Sequence, residues 1–321
     1  MYQKLKKYCS FSAIALSVLC AGAHAETKYP ERPITITVGY GAGGASDSLV
    51  RVLADSAAKT LGQPTIVENQ PGAGSSIQAT RLVRATPDGY TIGSVLVGAV
   101  INQYMRETEY DLANDLTPII MFANLPYGVV APADKPWKTF KELVDFAKAN
   151  PNSIRYGTAG IGSTQHLTME LLGKKLGIDW IHVPYKSGPE TIMAAIRGDV
   201  DIAAQSAEWA PFVRDGRMRA LAMFNAERYA EFPDVPTLME LGYDISAPSM
   251  IGFAGPKGMK PEDVKVLHDA FHKAMQDPKF ANTVKANGWQ VDYKNTADFA
   301  KYIKQMDEHY STAVKTAGLA K

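Results

Sequence analysis

The sequence predicts an α/β protein with two lobes and a cleft between them. Two stretches, at residues 34–61 and 154–172, share one design: a strand runs into a glycine-rich turn at the start of a helix. Strand and helix patterns alternate around both stretches, which is typical of parallel sheets with helical crossovers. The 321 residues are enough for two domains of ~150 residues each.

The first predicted lobe opens with a βαβαβ pattern. Residues 34–38 form an apolar, β-branched run, as in a buried parallel strand. The helix after the turn at 39–47 carries one apolar face, formed by Val50, Leu53, Ala54, Ala57 and Leu61. The next predicted elements are a strand at 64–68, a glycine-rich turn at 69–76, a helix at 77–85, a strand at 90–97 and an irregular stretch at 107–116.

A second α/β set follows two apolar runs at 117–123 and 127–131. Thr139 and Glu142 form a capping box that opens a helix to residue 150. The remaining elements are a strand at 154–156, the turn at 157–164, a helix through 172, strands at 180–183, 199–204 and 219–224, and a short helix at 190–197.

The chain is expected to cross between the lobes twice, at 124–126 and at 247–249. A return strand is predicted at 249–255, and helical patterns run from Pro261 to the C-terminus. We therefore expect one lobe from 26–124 plus 249–321, and a second lobe from 125–248 inserted within it.

The N-terminus predicts a Sec-type signal peptide over residues 1–25. Three lysines precede a short apolar run, and Ala23-His24-Ala25 is a cleavage site of the A-x-A type. Both cysteines, Cys9 and Cys20, lie in this segment. We expect a mature, periplasmic protein with no disulfide and no cysteine-bound metal.

Composition excludes several classes of partner. The formal net charge is +1 for the full chain, and removal of three lysines with residues 1–25 leaves 31 basic and 33 acidic side chains. This balance offers no electrostatic case for nucleic acid or an anionic membrane. No H-E-x-x-H motif occurs in the sequence, and neither a metal nor another cofactor is expected.

The turn at 39–47 predicts an anion site. Glycine lets a ligand approach the backbone closely, and the first turn of the helix has N–H groups without helical partners. The helix dipole adds partial positive charge at that end. A phosphate or a carboxylate would suit such a turn.

The sequence is also compatible with two kinds of enzyme. Gly39-x-Gly41-x-x-Gly44, with Glu68 about twenty residues on, matches the dinucleotide pattern of nicotinamide-dependent oxidoreductases. A hydrolase would need a nucleophile and a base, for which Ser46, Ser163 and His166 are the best candidates. No G-x-S-x-G elbow surrounds either serine.

Motifs along the mature chain resemble the Bug family, the substrate-binding proteins of tripartite tricarboxylate transporters. The resemblance covers the mature chain in order. The motifs are Tyr-Pro-Glu-Arg-Pro (29–33), Gly-Gly-x-x-Asp (43–47), Glu-Asn-Gln-Pro-Gly-Ala-Gly (68–74), Thr-Pro-Asp-Gly-Tyr-Thr (86–91), Gly-Ser-x-x-His-Leu (162–167), Val-Pro-Tyr-Lys (183–186), Gly-Asp-Val-Asp (198–201) and Asp-Val-Pro-Thr-Leu-x-Glu-Leu-Gly (234–242).

The resemblance implies a type II-like periplasmic binding fold that closes on a small organic acid without catalysis. It implies that a loop from each lobe holds one ligand carboxylate, largely through backbone N–H groups and waters. The implied residues are Tyr40, Ala42, Gly43, Gly44, Ala45 and Ser46 in the first lobe, Thr158, Ala159, Gly160, Ser163 and Thr164 in the second, and Ser75 and Gln205 in support.

One departure from the family affects the expected ligand. The family usually has proline before its Gly-Gly pair, whereas here the run is Tyr40-Gly-Ala-Gly-Gly44. We expect the far end of the ligand to meet Tyr40, Tyr185 and Trp209, which would suit a di- or tricarboxylate or an aromatic acid. The expected partners are this acid and the membrane subunits of the transporter, with the receptor itself a monomer.

Overall fold

The computed structural model describes residues 29–321, so the predicted signal peptide at 1–25 lies outside the described residues. The strands are β1 (Ile34–Val38), β2 (Thr65–Asn69), β3 (Thr91–Leu96), β4 (Leu116–Asn124), β5 (Tyr127–Pro132), β6 (Arg155–Thr158), β7 (Ile181–Pro184), β8 (Ile202–Ser206), β9 (Met218–Met223), β10 (Ile251–Pro256) and β11 (Gln290–Lys294). The helices are α1 (Ala45–Leu61), α2 (Ser76–Val83), α3 (Val97–Met105), α4 (Phe140–Ala149), α5 (Thr164–Leu176), α6 (Gly188–Arg197), α7 (Ala210–Arg214), α8 (Pro261–Ala274), α9 (Pro278–Ala286) and α10 (Thr296–Ala317). Together they form two α/β lobes, as predicted.

The first sheet has six strands in the order β11-β4-β10-β3-β1-β2. β1 pairs in parallel with β2 and β3, which confirms the βαβαβ pattern. Ile34, Ile36 and Val38 are fully buried in this sheet, as a continuous apolar strand requires. The return strand β10 enters antiparallel between β3 and β4. It draws residues after 250 back into the first lobe.

The second sheet has five strands in the order β7-β6-β8-β5-β9. β6 pairs in parallel with β7 and β8, whereas β5 runs antiparallel to β8 and β9. All five strands lie between residues 127 and 223. This arrangement is consistent with an inserted second lobe.

The two crossing segments are tied together by Ser249. Its hydroxyl accepts a hydrogen bond from the Leu125 N–H at 2.6 Å and lies 2.6 Å from Asn124 Oδ1, to which it donates. Both crossings therefore meet at one buried point between the sheets.

Two elements differ from the sequence-based expectation. Residues 97–105 form helix α3 directly after β3, although Leu96 at its N-cap offers no side-chain hydrogen bond. α3 forms because it is buried between α2, α5 and α10, so tertiary packing supplies its stability. The prediction of uninterrupted helix near the C-terminus was wrong at 290–294, where β11 extends the sheet edge along β4. Within residues 29–321, no helix is both long and apolar enough to cross a membrane.

Candidate functional site

The two glycine-rich turns lie at the carboxyl ends of β1 and β6, where ligands bind in open α/β sheets. They contribute to one cavity between the lobes, whose volume is about 40 Å³. That is room for about three water molecules. The lining residues are Tyr40, Gly44, Ala45, Ser46, Leu96, Val97, Gly98, Leu125, Tyr127, Ala159, Thr164, Gln165, Ser187, Gly188, Gln205, Ser206, Glu208, Met250 and Ile251.

The start of α1 is held by Asp47, which is buried in the first turn. One carboxylate oxygen accepts the Gly43 N–H at 2.8 Å, and the other accepts from Arg51 Nε at 2.9 Å and Asn69 Nδ2 at 2.8 Å. Burial alone would raise the pKa of Asp47, but these hydrogen bonds hold it below its ordinary value. Asp47 therefore holds the turn in place, and the Gly43 N–H is already occupied by its carboxylate.

The start of α5 is held by Ser163 and two histidines. Ser163 Oγ caps the helix by accepting the backbone N–H of His166 at 3.3 Å. The His166 ring packs on His182 with centroids 4.4 Å apart, and His182 Nε2 lies 2.7 Å from Thr158 Oγ1. Burial lowers the pKa of both histidines, that of His182 to about 3, so both rings are neutral at pH 7. This cluster positions the second turn.

Gln205 presents a hydrogen-bond donor at the cavity. It is 1% exposed, and its Oε1 accepts from Gln165 Nε2 at 2.7 Å and from Ser206 N–H at 2.9 Å. These two bonds fix the amide so that Nε2 is the free group, and no acceptor among residues 29–321 contacts it. A buried donor without an acceptor is costly, so an acceptor on a ligand would be stabilised here.

Glu208 enters the same cavity and was not predicted from the sequence. It belongs to the second lobe, yet its Oε1 accepts the Ala45 N–H at the start of α1 in the first lobe, at 2.7 Å. Ser206 Oγ donates to Oε2, also at 2.7 Å. Burial raises the pKa of Glu208 to about 7, and the two hydrogen bonds only partly oppose it.

A larger neighbouring cavity, of about 420 Å³, shares Tyr40 and Ala159 with the first. Two basic side chains, Arg106 and Lys186, line it together with Tyr185 and Gly160. The phenol of Tyr40 has a pKa raised by burial, so it is a neutral hydrogen-bonding group between the two spaces.

The structure brings together only part of the predicted site. The predicted residues that line one of the two cavities are Tyr40, Gly44, Ala45, Ser46, Ala159, Gly160, Thr164, Tyr185 and Gln205. The predicted residues that line neither are Ala42, Gly43, Ser75, Thr158, Ser163 and Trp209. Ala42 and Gly43 face outward, whereas the other four are buried behind the cavity walls.

Trp209 and Ser75 have supporting positions. Trp209 is fully buried, donates from Nε1 to the Gln205 carbonyl at 3.1 Å, and packs on Phe232. It therefore holds the backbone of Gln205 from the core. Ser75 lies under Gly39, where a Cβ would come within 1.8 Å of the serine hydroxyl. Gly39 is thus required for close packing of the two turns.

Several lining residues gave no sequence signal of their own. The apolar part of the cavity comes from residues beside the two crossings, namely Leu125, Tyr127, Met250 and Ile251, and from the β3–α3 junction. Their position next to the predicted crossings at 124–126 and 247–249 is the one clue that sequence reasoning could have used.

Two α/β lobes with a cavity between them are the architecture of periplasmic binding proteins. The family model of the tripartite tricarboxylate transporter family receptor, TctC, matches residues 49–319. A UPF0065 protein from the gbd 5' region of Cupriavidus necator is 41% identical over 310 residues, which cover 97% of this chain and 94% of that protein. The chain therefore belongs to the TctC family of receptors.

Solved structures agree with this assignment. The periplasmic binding protein BugD superposes with a TM-score of 0.85 at 30% identity, covering 91% of this chain and 100% of that one. R. palustris Rpa4515, solved with adipate, has a TM-score of 0.84 at 26% identity and covers 91% and 99%. MatC from Rhodopseudomonas palustris, with bound malate, has a TM-score of 0.83 at 26% identity and covers 89% and 100%.

Proposed function

We propose that this protein is a non-catalytic periplasmic receptor that captures a small organic carboxylate between its lobes for a tripartite tricarboxylate-type transporter. The observation that carries the proposal is the buried Nε2 of Gln205, a donor without an acceptor at the wall of the interlobe cavity. A carboxylate supplies that acceptor. The relatives solved with adipate and malate support the same ligand class.

The proposed binding residues are those that line the two cavities. The head of the ligand would lie among the turn residues 44–46, Thr164 and Gln205, and its far end would pass Tyr40 towards Tyr185. Among the remaining predicted residues, Ser163 would act by positioning, because it caps the start of α5. Asp47, which was not predicted as a site residue, would hold the start of α1 in the same way.

The geometry does not support either of the two enzyme functions, the hydrolase or the nicotinamide-dependent oxidoreductase. Ser163 bonds the backbone N–H of His166 rather than its ring, so the pair is a helix cap and not a nucleophile with its base. Of the three glycines in the pattern Gly39-x-Gly41-x-x-Gly44, only Gly44 lines either cavity, so the pattern does not face a common binding space for a dinucleotide. Glu68, the expected ribose partner, lies exposed on the edge strand β2.

A thermal-shift panel of mono-, di- and tricarboxylates and aromatic acids tests the proposal, followed by calorimetry on every acid that stabilises the protein. A ligand at a hundredfold excess over Kd adds about 2.7 kcal/mol to the free energy of unfolding. Mass spectrometry of the solution should return that acid unchanged. A panel without any stabilising acid would contradict the receptor function, and a new product would favour an enzyme.

We also propose the finer points of organisation. The lobes would comprise 26–124 plus 249–321 and the inserted 125–248, and a signal peptide would be cleaved after Ala25. N-terminal sequencing of protein from a periplasmic extract should then begin at Glu26.

We further propose that the receptor is a monomer that binds the membrane subunits of the transporter. Light scattering should give the mass of a monomer, and the purified receptor should bind vesicles that contain the membrane subunits. A dimer, or an uncleaved N-terminus, would overturn the corresponding point.

A further inference from the structure

Glu208 occupies the place that an anionic ligand was expected to fill. The start of α1 was predicted to hold a ligand carboxylate through N–H groups near Ala45. In the structure the Ala45 N–H already donates to Glu208 Oε1 at 2.7 Å, across the gap between the lobes. The side chain is therefore a carboxylate supplied by the protein itself, tethered to the second lobe.

The residues around Glu208 leave space for its carboxylate and bind it in this position. The carboxylate lies against Gly188 at the start of α6, where a Cβ would come within 2.0 Å of Oε2. A side chain at 188 would force the Glu208 carboxylate to shift from this position. Ser206 Oγ donates to the same oxygen at 2.7 Å. One backbone N–H at the start of α1 and one hydroxyl thus hold the carboxyl group beside the cavity.

The charge of this carboxylate is not neutralised by a cation. Within residues 29–321, Glu208 forms no ion pair with a lysine, arginine or histidine. Tyr127, whose pKa is raised to about 12 by burial, is neutral beside it. Arg106 and Lys186 line the neighbouring cavity instead. An ionised Glu208 would repel a second carboxylate in so small a space.

Gln205 and Glu208 therefore favour different hydrogen-bonding groups on a ligand. Gln205 Nε2 requires an acceptor, whereas the carboxylate of Glu208 accepts hydrogen bonds and favours a donor. We propose that Glu208 is a specificity-determining residue, which makes the cleft select acids that carry one carboxylate and a hydrogen-bond donor over acids with two carboxylates. This inference rests on the proposed receptor function and narrows its ligand class.

Matched ligands test it by calorimetry at pH 8.5, where Glu208 is ionised. The first series is succinate, its half-amide succinamate, and butyrate; the second is adipate, adipamate and hexanoate. Within each series the chain length is constant and only one end changes. Wild-type protein should bind the half-amide at least tenfold more tightly than the dicarboxylate, with the alkyl acid weaker than the half-amide.

Two variants assign the effect to Glu208. Glu208→Gln and Glu208→Ala remove the charge and should narrow or reverse the preference for the half-amide, mainly through tighter binding of the dicarboxylate. Glu227→Gln is the matched control, because Glu227 is an exposed acid of the same lobe that lines neither cleft cavity. It should keep the wild-type ranking.

The contact itself is testable without a ligand. The backbone amide signal of Ala45 in a ¹⁵N-resolved NMR spectrum should titrate between pH 4 and 9 in the wild-type protein and lose this titration in Glu208→Gln. An amide that titrates equally in both proteins, or in neither, would overturn the contact.

The failures of this inference and of the receptor function are distinct. If the wild-type protein binds the dicarboxylates as tightly as the half-amides and Glu208→Gln leaves the ranking unchanged, Glu208 does not set specificity, while the receptor function stands. If the wider acid panel yields a ligand but neither series binds, the half-amide class is excluded and the inference fails. If no acid binds at all, the receptor function fails and this inference fails with it.

Discussion

At the scale of single residues, Gln205 and Glu208 give the cavity its chemistry, and only one of them could be predicted. Gln205 was expected from the resemblance to the family, and the structure places it at the cavity wall. Glu208 gave no signal, because its partner Ala45 lies 163 residues away along the chain. A glutamate beside an aromatic residue has no local pattern that distinguishes it from a solvated side chain.

The role of Gln205 leads to a prediction for Gln205→Glu. The substitution replaces the buried donor by a carboxylate, so the Kd for a carboxylate ligand should rise at least tenfold, which corresponds to about 1.4 kcal/mol. Both the lost donor and the like charge contribute to this effect. Calorimetry on the folded variant measures it. Gln276→Glu, the same change at an exposed position, should bind as the wild type does. A Kd within twofold of wild type for Gln205→Glu would exclude Gln205 as a ligand contact.

At the scale of secondary-structure elements, the two strand–turn–helix units were predicted correctly because their signals are local. α1 and α5 begin directly after the turns at 39–44 and 157–163. The second unit depends on more than its glycines, since His182 on β7 stacks on Tyr156 of β6 and on His166 of α5. The histidine pair therefore couples the turn to three elements.

This cluster predicts acid sensitivity. Burial lowers the folded-state pKa of His182 to about 3, below its ordinary value of 6.5, so the unfolded chain binds the proton first as pH falls. His182 therefore contributes fully to the free energy of unfolding above pH 6.5, and this contribution is lost progressively as the pH falls towards 3. When the pH falls from 7 to 5, the free energy of unfolding should decrease in both proteins. The decrease should be about 1–2 kcal/mol smaller for His182→Gln than for the wild type.

Urea denaturation at the two pH values measures this difference. Glu208 acts in the opposite direction, because its raised pKa adds stability as pH falls from 7 towards 4.5. Its contribution is present in both proteins and cancels in the comparison. Equal pH dependence in the two proteins would show that His182 is not held neutral in the folded state.

At the scale of the whole molecule, the cavity exists only because the lobes approach closely. Glycines permit this approach: a Cβ on Gly41 would lie 3.2 Å from the Lys186 carbonyl, and one on Gly74 would lie 2.8 Å from the Gly162 carbonyl. Each pair joins the first lobe to the second. Ser249 links the two crossing segments about which the lobes would move.

Closure should therefore follow ligand binding. Solution scattering should give a smaller radius of gyration with an acid that the thermal-shift panel identifies than without it, because hinge closure makes the molecule more compact. Gln205→Glu, measured at the same acid concentration, should keep the larger radius. An unchanged radius for wild-type protein at saturating acid would rule out domain closure as the capture step.

The sequence by itself determined the parts of this protein that depend on neighbours along the chain. The apolar strand at 34–38, the glycine-rich turns and the one-sided helix faces are readable because the periods of strands and helices relate residues only a few positions apart. The whole-chain order of motifs added the family and the two-lobed architecture. These features predicted where a cleft would lie and which turns would face it.

Only the tertiary structure decided which groups meet inside the cleft. α3 is a helix because other helices bury it, and β11 is a strand because the edge of β4 accepts it. The carboxylate of Glu208 lies at the start of α1 because folding brings together two lobes whose sequences are far apart. Such contacts depend on packing across the whole molecule, which no local period records.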